Sequence, residues 1–454
     1  MAIIQQALLN RKLIPSDDGW TLNPTNACFN TNGDDRLSNS NNTASCPAIP
    51  DHTWQQSGTH MVSDGGDNLI PDHRTNNTIH LTGRGTNTES GGYPDQCCPG
   101  QFGPGTYDGE ASGMRTTDNG ATWSNSAITN VTYSSNSNWT TWYGWDTNGS
   151  TSSPVWMVGG GAYPNSQTTN TGGSKIVVYK STNLTSWSRL QLNPWGTTTI
   201  NQYVRDVAYS NGAWIALEAV SGAVCRSTNN GSSWSSWTRP SSYGTGYAIK
   251  SNNGGSKVIM AVAGVSSNNY KQIYYSSDGG VNWNSGTSVH GQFGAQYKSM
   301  LYVDGKVNVG NTQVGPGVWV IGGSRNDTGW GAYKSTRDLL AYSTNGTSWT
   351  EIDVQNDVTP STMYRGDFGI FGKIIDIGDK FITAKIDTNA NMNYYISDRS
   401  LTDWRLMSTN PFVGLNGSST TRDFIFQNNR LIACSGMGSV MNGCAGRIGY
   451  IDFV

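Results

Sequence analysis

The chain has 454 residues, a formal net charge of −2 and charged side chains at only 13% of positions. That balance excludes electrostatic binding to nucleic acid, which needs clustered Lys and Arg to displace counterions. The 17 Trp, 21 Tyr and 10 Phe exclude a disordered polymer, and the length fits two or three average domains or one all-β propeller or barrel.

The N-terminus, MAIIQQALLNRKLIPSDDGW, has an apolar stretch from Ile3 to Leu9 that two glutamines interrupt, with its charges after it. A secretory leader has the opposite order, so synthesis in a cytoplasm without a signal peptide is expected. No stretch approaches the roughly 20 apolar residues of a membrane helix, which argues against membrane insertion. Residues 1–112 contain Cys28, Cys46, Cys97 and Cys98 of the seven cysteines and His52, His60, His73 and His80 of the five histidines. The tight Cys spacing of zinc modules is missing, so no metal and no cofactor are expected. Disulfides and buried thiols both stay open, and Cys434 with Cys444 could close a loop. This region is set apart as an irregular N-terminal extension, serving as anchor, first blade or closure.

From residue 113 onward one phrase returns: TTDNGATW (116–123), STNLTSW (181–187), STNNGSSW (227–234), SSDGGVNW (276–283), STNGTSW (343–349) and SDRSLTDW (397–404). Ser or Thr, then Asn or Asp, then Gly between alternating runs is hairpin chemistry, because the Asx side chain bonds backbone amides and Gly accepts a positive φ. Asp118, Asn183, Asn229, Asp278 and Asn345 are the expected turn acceptors. The closing rings, Trp123, Trp187, Trp234, Trp283, Trp349 and Trp404, are expected to fold back and bury themselves on one face.

Upstream of each turn lies a run such as KIVVYKS (175–181) or QIYYSS (272–277), preceded by an apolar run such as VWMVGG (155–160) or AWIALEA (213–219). Before those stand YVRDVAYSNG (203–212), YKSMLYVDG (297–305), FGKIIDIGD (371–379) and RDFIFQNN (422–429). Period-two alternation makes each a strand, and each unit four antiparallel strands. The shorter spacings between the Trp positions match the roughly 40–50-residue period of propeller blades. The last unit supplies three strands, so an N-terminal segment must add the fourth, with AIIQQALLN (2–10) as candidate. Residues 113–454 are therefore expected to form a seven-bladed β-propeller, or a six-bladed one if 54–112 is a separate module.

The phrases resemble the Asp-box, or BNR, repeat S-x-D-x-G-x-x-W of sialidases, some glucanases and a photosystem assembly factor. The resemblance covers about three-quarters of the chain by its repeat and implies a β-propeller. Two boxes are one residue short, STNNGSSW carries Asn for Asp, and SDRSLTDW lacks the Gly. RKLIPSDD is only an echo of the sialidase Arg-Ile-Pro word, and no Tyr–Glu constellation accompanies it. The box itself is a turn, so the resemblance leaves function open.

Binding residues are expected on the face carrying the long loops. Trp330 and Tyr333 in GSRNDTGWGAYKSTRD (323–338) are candidates, as are Trp142 and Trp145 in NWTTWYGWDTNGS (138–150), where aromatic faces could stack on sugar. Arg205 beside Asp206, Arg365 near Asp367 and Arg422 beside Asp423 recur at the entrance of the first strand, either to grip a carboxylate or to tie neighbouring blades. No catalytic residue is assigned. The composition and repeats resemble those of structural proteins of tailed-bacteriophage virions, which implies a non-enzymatic protein of tail, baseplate or capsid. It would be oligomeric within the particle, contacting other virion proteins and host-surface polysaccharide. A sialidase-like or glucanase-like glycosidase and a protein-clamping assembly factor are the alternatives.

Overall fold

The computed structural model describes residues 21–22, 66–75, 77–83, 112–121, 124–126, 139–163, 175–192, 202–240, 244–263, 273–287, 289, 295–326, 336–352, 371–386, 392–408, 421–435 and 448–453. Their secondary structure is a series of small antiparallel sheets, a β-propeller-like arrangement in which strands follow one another as meanders. They fall into two compact units, one from residues 15–203 and 411–454, the other from 204–410.

In the first unit, β1 (Thr21–Leu22) stands apart in sequence from its sheet. Strands β2 (Gly66–Pro71), β3 (Ile79–Gly83), β4 (Ser112–Thr116) and β5 (Ser124–Ser126) form one sheet in chain order. A division of the chain at residue 112 therefore runs through this sheet. Strands β6 (Trp139–Thr147), β7 (Trp156–Tyr163), β8 (Lys175–Ser181) and β9 (Trp187–Gln191) form the next.

The second unit begins with a three-stranded sheet of β10 (Val204–Ser210), β11 (Ala213–Glu218) and β12 (Val224–Ser227). Beyond its turn an isolated antiparallel bridge, Val224 to Thr238, stands where a fourth strand was expected. β13 (Thr245–Ser251), β14 (Val258–Ala263), β15 (Ile273–Ser276) and β16 (Asn284–Ser285) follow. The next sheet is interrupted: between β17 (Ala295–Val303) and β20 (Val318–Asn326) a hairpin of β18 (Val307–Val309) and β19 (Thr312–Val314) is inserted. β21 (Thr336–Ser343) and β22 (Thr350–Ile352) complete that sheet, and β23 (Phe371–Asp376), β24 (Phe381–Ile386), β25 (Met392–Ser397) and β26 (Arg405–Ser408) form the last of this unit.

The chain then returns to the first unit with β27 (Thr421–Gln427), β28 (Arg430–Ser435) and β29 (Ile448–Asp452). The fourth strand here is β1, with Thr21 opposite Tyr450 and Leu22 opposite Gly449. The N-terminal donation is as the strand count required, but Thr21–Leu22 makes it; residues 2–10 lie outside the described residues. Cys434 is buried in β28, and Cys444 lies outside the described residues, so the proposed pairing does too.

Apolar side chains from consecutive sheets form the cores. In the second unit Ile215, Leu217, Ile249 and Met260 make one layer, Ile259, Ile273, Trp319 and Leu339 the next, and Val320, Leu340, Phe381 and Trp404 a third. The first strands lie side by side, β10 with β13, β13 with β17 and β17 with β23; in the first unit β27 neighbours β2, and β2 neighbours β6.

The recurring turns close as expected. In Ser276–Trp283 the Ser276 hydroxyl donates to Asp278 Oδ1 at 2.7 Å and accepts from Gly280 N at 2.8 Å, and Asp278 Oδ1 accepts from Val281 N and Asn282 N at 3.1 and 2.9 Å. Thr116 with Asp118, Ser181 with Asn183, Ser227 with Asn229 and Ser343 with Asn345 repeat the first bond. The eight-residue boxes that keep their glycine put two successive residues at positive φ, Gly279 and Gly280 in this case, whereas the seven-residue boxes use one, Leu184 or Gly346. A Cβ on Gly280 would lie 2.5 Å from Ile215 Cδ1. Glycine here serves both the backbone conformation and the seating of the turn on the preceding sheet.

The rings depart from a uniform buried set. Trp187 and Trp404 are buried, with Nε1 donating to Leu184 O and Leu401 O. Trp234, Trp283 and Trp349 are half-buried. After the three-stranded sheet it is Trp237, three residues beyond the box, that is buried. Trp123 lies outside the described residues.

Candidate functional site

Among the described sheets, strands β2, β10, β13, β17, β23 and β27 carry a β-bulge near their start, and β6 carries one at mid-strand. A bulge places one extra residue opposite a single partner and re-aims the side chains around it. In the second unit the extra residue is Arg205 in β10, Tyr247 in β13 and Lys298 in β17, and the pair Gly372–Lys373 spans the bulge in β23. Since β10, β13, β17 and β23 neighbour one another, these positions follow one another in a row, with Arg205, Tyr247 and Lys373 as the ones whose side chains are described. Arg205, Tyr247 and Lys373 are half-buried. Burial pushes the Tyr247 hydroxyl above its ordinary pKa, and the Arg205 charge partly offsets this. Among the bulges of the first unit, Asp67 stands in β2 and Arg422 in β27.

The residues after these bulges do different work. Asp206 Oδ1 accepts from Val207 N in its own strand and Oδ2 from Ile249 N in β13, both at 2.9 Å. Asp423 repeats this in the first unit, accepting from Phe424 N at 2.9 Å and from Leu69 N in β2 at 2.8 Å. Ser299 Oγ substitutes in β17, accepting from Ile374 N of β23 at 2.8 Å. These side chains join neighbouring first strands through backbone amides. The sequence recurrence of Arg followed by Asp thus separates into a bulge residue and a clasp.

Of the aromatic candidates, Trp142 is a correction. It is 1% exposed, stacks on Tyr179 at 4.1 Å and meets Trp187 edge-on at 5.2 Å, so neither ring face can receive a sugar. The bulge between Trp142 and Trp145 explains why alternation misplaces it. Trp145 is half-buried and packs against the same cluster. Trp330, Tyr333, Arg365 and Asp367 lie outside the described residues. The box acceptors Asp118, Asn183, Asn229, Asp278 and Asn345 hold turns. Tyr247 and Lys373 were missed as candidates; the available signal was the break in period-two alternation at each strand entrance.

Among the described residues no group of three or more His, Cys, Asp or Glu side chains is placed to hold a metal ion, and no helix is long and apolar enough to cross a membrane.

No family model matches the chain, and no curated protein does. Among solved structures it is similar to YCF48 bound to D1 peptide, at 12% identity and a TM-score of 0.47 over 86% of this chain and 94% of that one. It is also similar to Trypanosoma rangeli sialidase in complex with the inhibitor DANA, at 16% identity and a TM-score of 0.42 over 74% of this chain and 53% of that one. The polysaccharide lyase Uly1 is similar at 10% identity and a TM-score of 0.45, over 98% of this chain and 99% of that one.

Proposed function

We propose that the chain is a non-enzymatic binding scaffold of a bacteriophage virion, a seven-bladed β-propeller on tail, baseplate or capsid that meets an acidic glycan of the host surface. The observation that carries this reading is the division of labour at the first strands. Asp206 and Asp423 each spend both carboxylate oxygens on backbone amides. A carboxylate held this way acts as a clasp between neighbouring strands. The row that holds Arg205, Tyr247 and Lys373 suits carboxylate or sulfate groups of a sugar polymer, which cations hold without proton transfer. The box repeats and the Asn-, Ser-, Thr- and Gly-rich composition support the virion setting.

A second reading, a sialidase-like or glucanase-like glycosidase, draws on the same row, because a guanidinium beside a phenol could also orient an acidic substrate. The experiment that separates them incubates the purified chain with sialosides, uronate-containing polysaccharide and neutral β-glucan, recording binding and released sugar. The expected outcome is salt-sensitive binding of the acidic polymers without release, weakened at least about tenfold by Arg205→Met, as loss of a charge-assisted contact implies. Released sugar that Asp206→Asn abolishes would overturn the scaffold reading in favour of the glycosidase.

A further inference from the structure

The sheet β2–β5 has two unlike faces. Leu69, Ile79 and Leu81 on one side pack with Ile425, Ile432 and Cys434 of the sheet β27–β29. That seam is apolar, and the Asp423 clasp to Leu69 N spans it. On the opposite side the strand register places Asn68 across from Thr82, Ile70 across from His80, and His80 across from Arg115. Ile70 packs there with Trp142, Trp156 and Val158 of the sheet β6–β9.

This second seam is polar and poorly satisfied. Asn68, His80 and Thr82 are 7%, 3% and 1% exposed, and Trp142 and Trp156 are fully enclosed. Asn68 Nδ2, His80 Nε2, Thr82 Oγ1, Trp142 Nε1 and Trp156 Nε1 have no hydrogen-bond partner among the described residues. Buried polar groups left unpaired lose their water without replacement. Five of them along this seam, against Asn119 Oδ1 and Gln427 Oε1 where β2–β5 meets β27–β28, make it the line along which this unit parts most readily.

We propose that the seam between the sheets β2–β5 and β6–β9 is an acid-operated joint: protonation of His80 sets a second cation beside Arg115 inside the seam and parts it, while the apolar seam to β27–β29 stays closed. The charged and titratable groups around His80 support the sign. Arg115 faces it from β4. Asp72, at the end of β2, is bonded to Arg74 at 2.6 Å. His73, in the same turn, is engaged with Ser150 O and Thr147 Oγ1. On the facing strands Tyr179 and Arg189 share the side that packs on Ile70. Among the described residues Asp72 is the carboxylate that bears on His80; its pull is weaker than the effects of burial and of Arg115, and it is already bonded to Arg74. Burial, with the Arg115 charge next, holds the His80 pKa down at about 3.

Opening exposes the imidazole to water, where it titrates near 6.5. Between these values the open state binds a proton that the closed state does not, so the closed-to-open ratio falls by about tenfold per pH unit as pH drops below 6.5. The test is amide exchange of the full chain by mass spectrometry from pH 7 to pH 5, corrected for intrinsic rates, alongside tryptophan emission. Faster exchange in β3, β4, β6 and β7, with a red shift as Trp142 and Trp156 hydrate and no change in β27 and β28, is expected. His80→Leu should abolish the acid response. An unchanged response in that variant, or an equal response in both seams of the parent chain, overturns the proposal.

Discussion

The turns Ser276–Trp283 and Ser397–Trp404 do the same job with different parts. The first has Asp278 as its second acceptor and two glycines at positive φ. The second has lost its glycine, and Arg399 alone takes positive φ, at 53°. Ser397 Oγ still collects a turn amide, from Ser400 N at 2.9 Å, and Ser400 Oγ takes over from the missing Asx, accepting from Thr402 N and Asp403 N. A splint supplies the rest. The β18–β19 hairpin lies along this turn, with Asn308 N donating to Arg399 O, Leu401 N to Asn308 O and Gly310 N to Thr402 Oγ1. What recurs is thus a pattern of one hydroxyl collar and one second acceptor, and the letters can drift where neighbouring backbone replaces them.

The largest test of this comparison is the closing ring. Trp404→Ala empties a fully buried site and should lower unfolding free energy by about 3–5 kcal/mol. Trp283→Ala, at a half-buried position, should lose about 1–2 kcal/mol. Equal losses in denaturant titrations would erase the distinction between the turns. Next comes Gly280→Ala, which combines a positive φ with overlap on Ile215 and should cost about 2–4 kcal/mol, as left-handed strain and overpacking suggest. A loss below about 1 kcal/mol would mean that the turn shifts freely on its neighbour.

Arg399→Met sharpens the worn turn. Arg399 bonds Asp376 at 3.0 Å and Lys306 O at 3.2 Å, also reaches Gly378 O, and lies over the Phe381 ring. Its removal should cost about 1–3 kcal/mol, and exchange of the β18–β19 amides should quicken if Arg399 fastens the hairpin. The smallest effect concerns pH. Backbone hydrogen bonds from Asn282 and Val281, with the Ser276 hydroxyl, hold Asp278 down at about 2. Its contribution is therefore present above the ordinary carboxylate value of 3.8 and is lost as pH falls through about 2. Melting curves of Asp278→Asn and the parent should converge over that window, and a constant gap would rule the carboxylate out as the source.

Much of this was legible before any coordinates. Alternation marks β8, β11 and β15, and the Ser-x-Asx phrase marks the turns, because both signals are local. The β18–β19 hairpin escaped notice although Gly310 and Asn311 sit between Val309 and Thr312, where a two-residue turn belongs. β1 could not be read, since two residues carry no period and pair through backbone alone. The clasp role of Asp206 and Asp423 was legible only as a recurrence, because its partner is an amide, which every residue but proline offers. His80 was noticed for its proximity to cysteines, whereas its position depends on which side of β3 faces the tryptophans.

The pairing of Thr21–Leu22 with Gly449–Tyr450 separates the two partners by nearly the whole chain. Every other sheet draws its strands from one continuous stretch and can assemble as that stretch leaves the ribosome. The sheet β1-β29-β28-β27 cannot, because its outermost strand is synthesised first and must wait for its last partner. A ribosome stalled before residue 448 therefore holds a chain that lacks β29, leaving the free edge of β28 for another nascent chain to occupy.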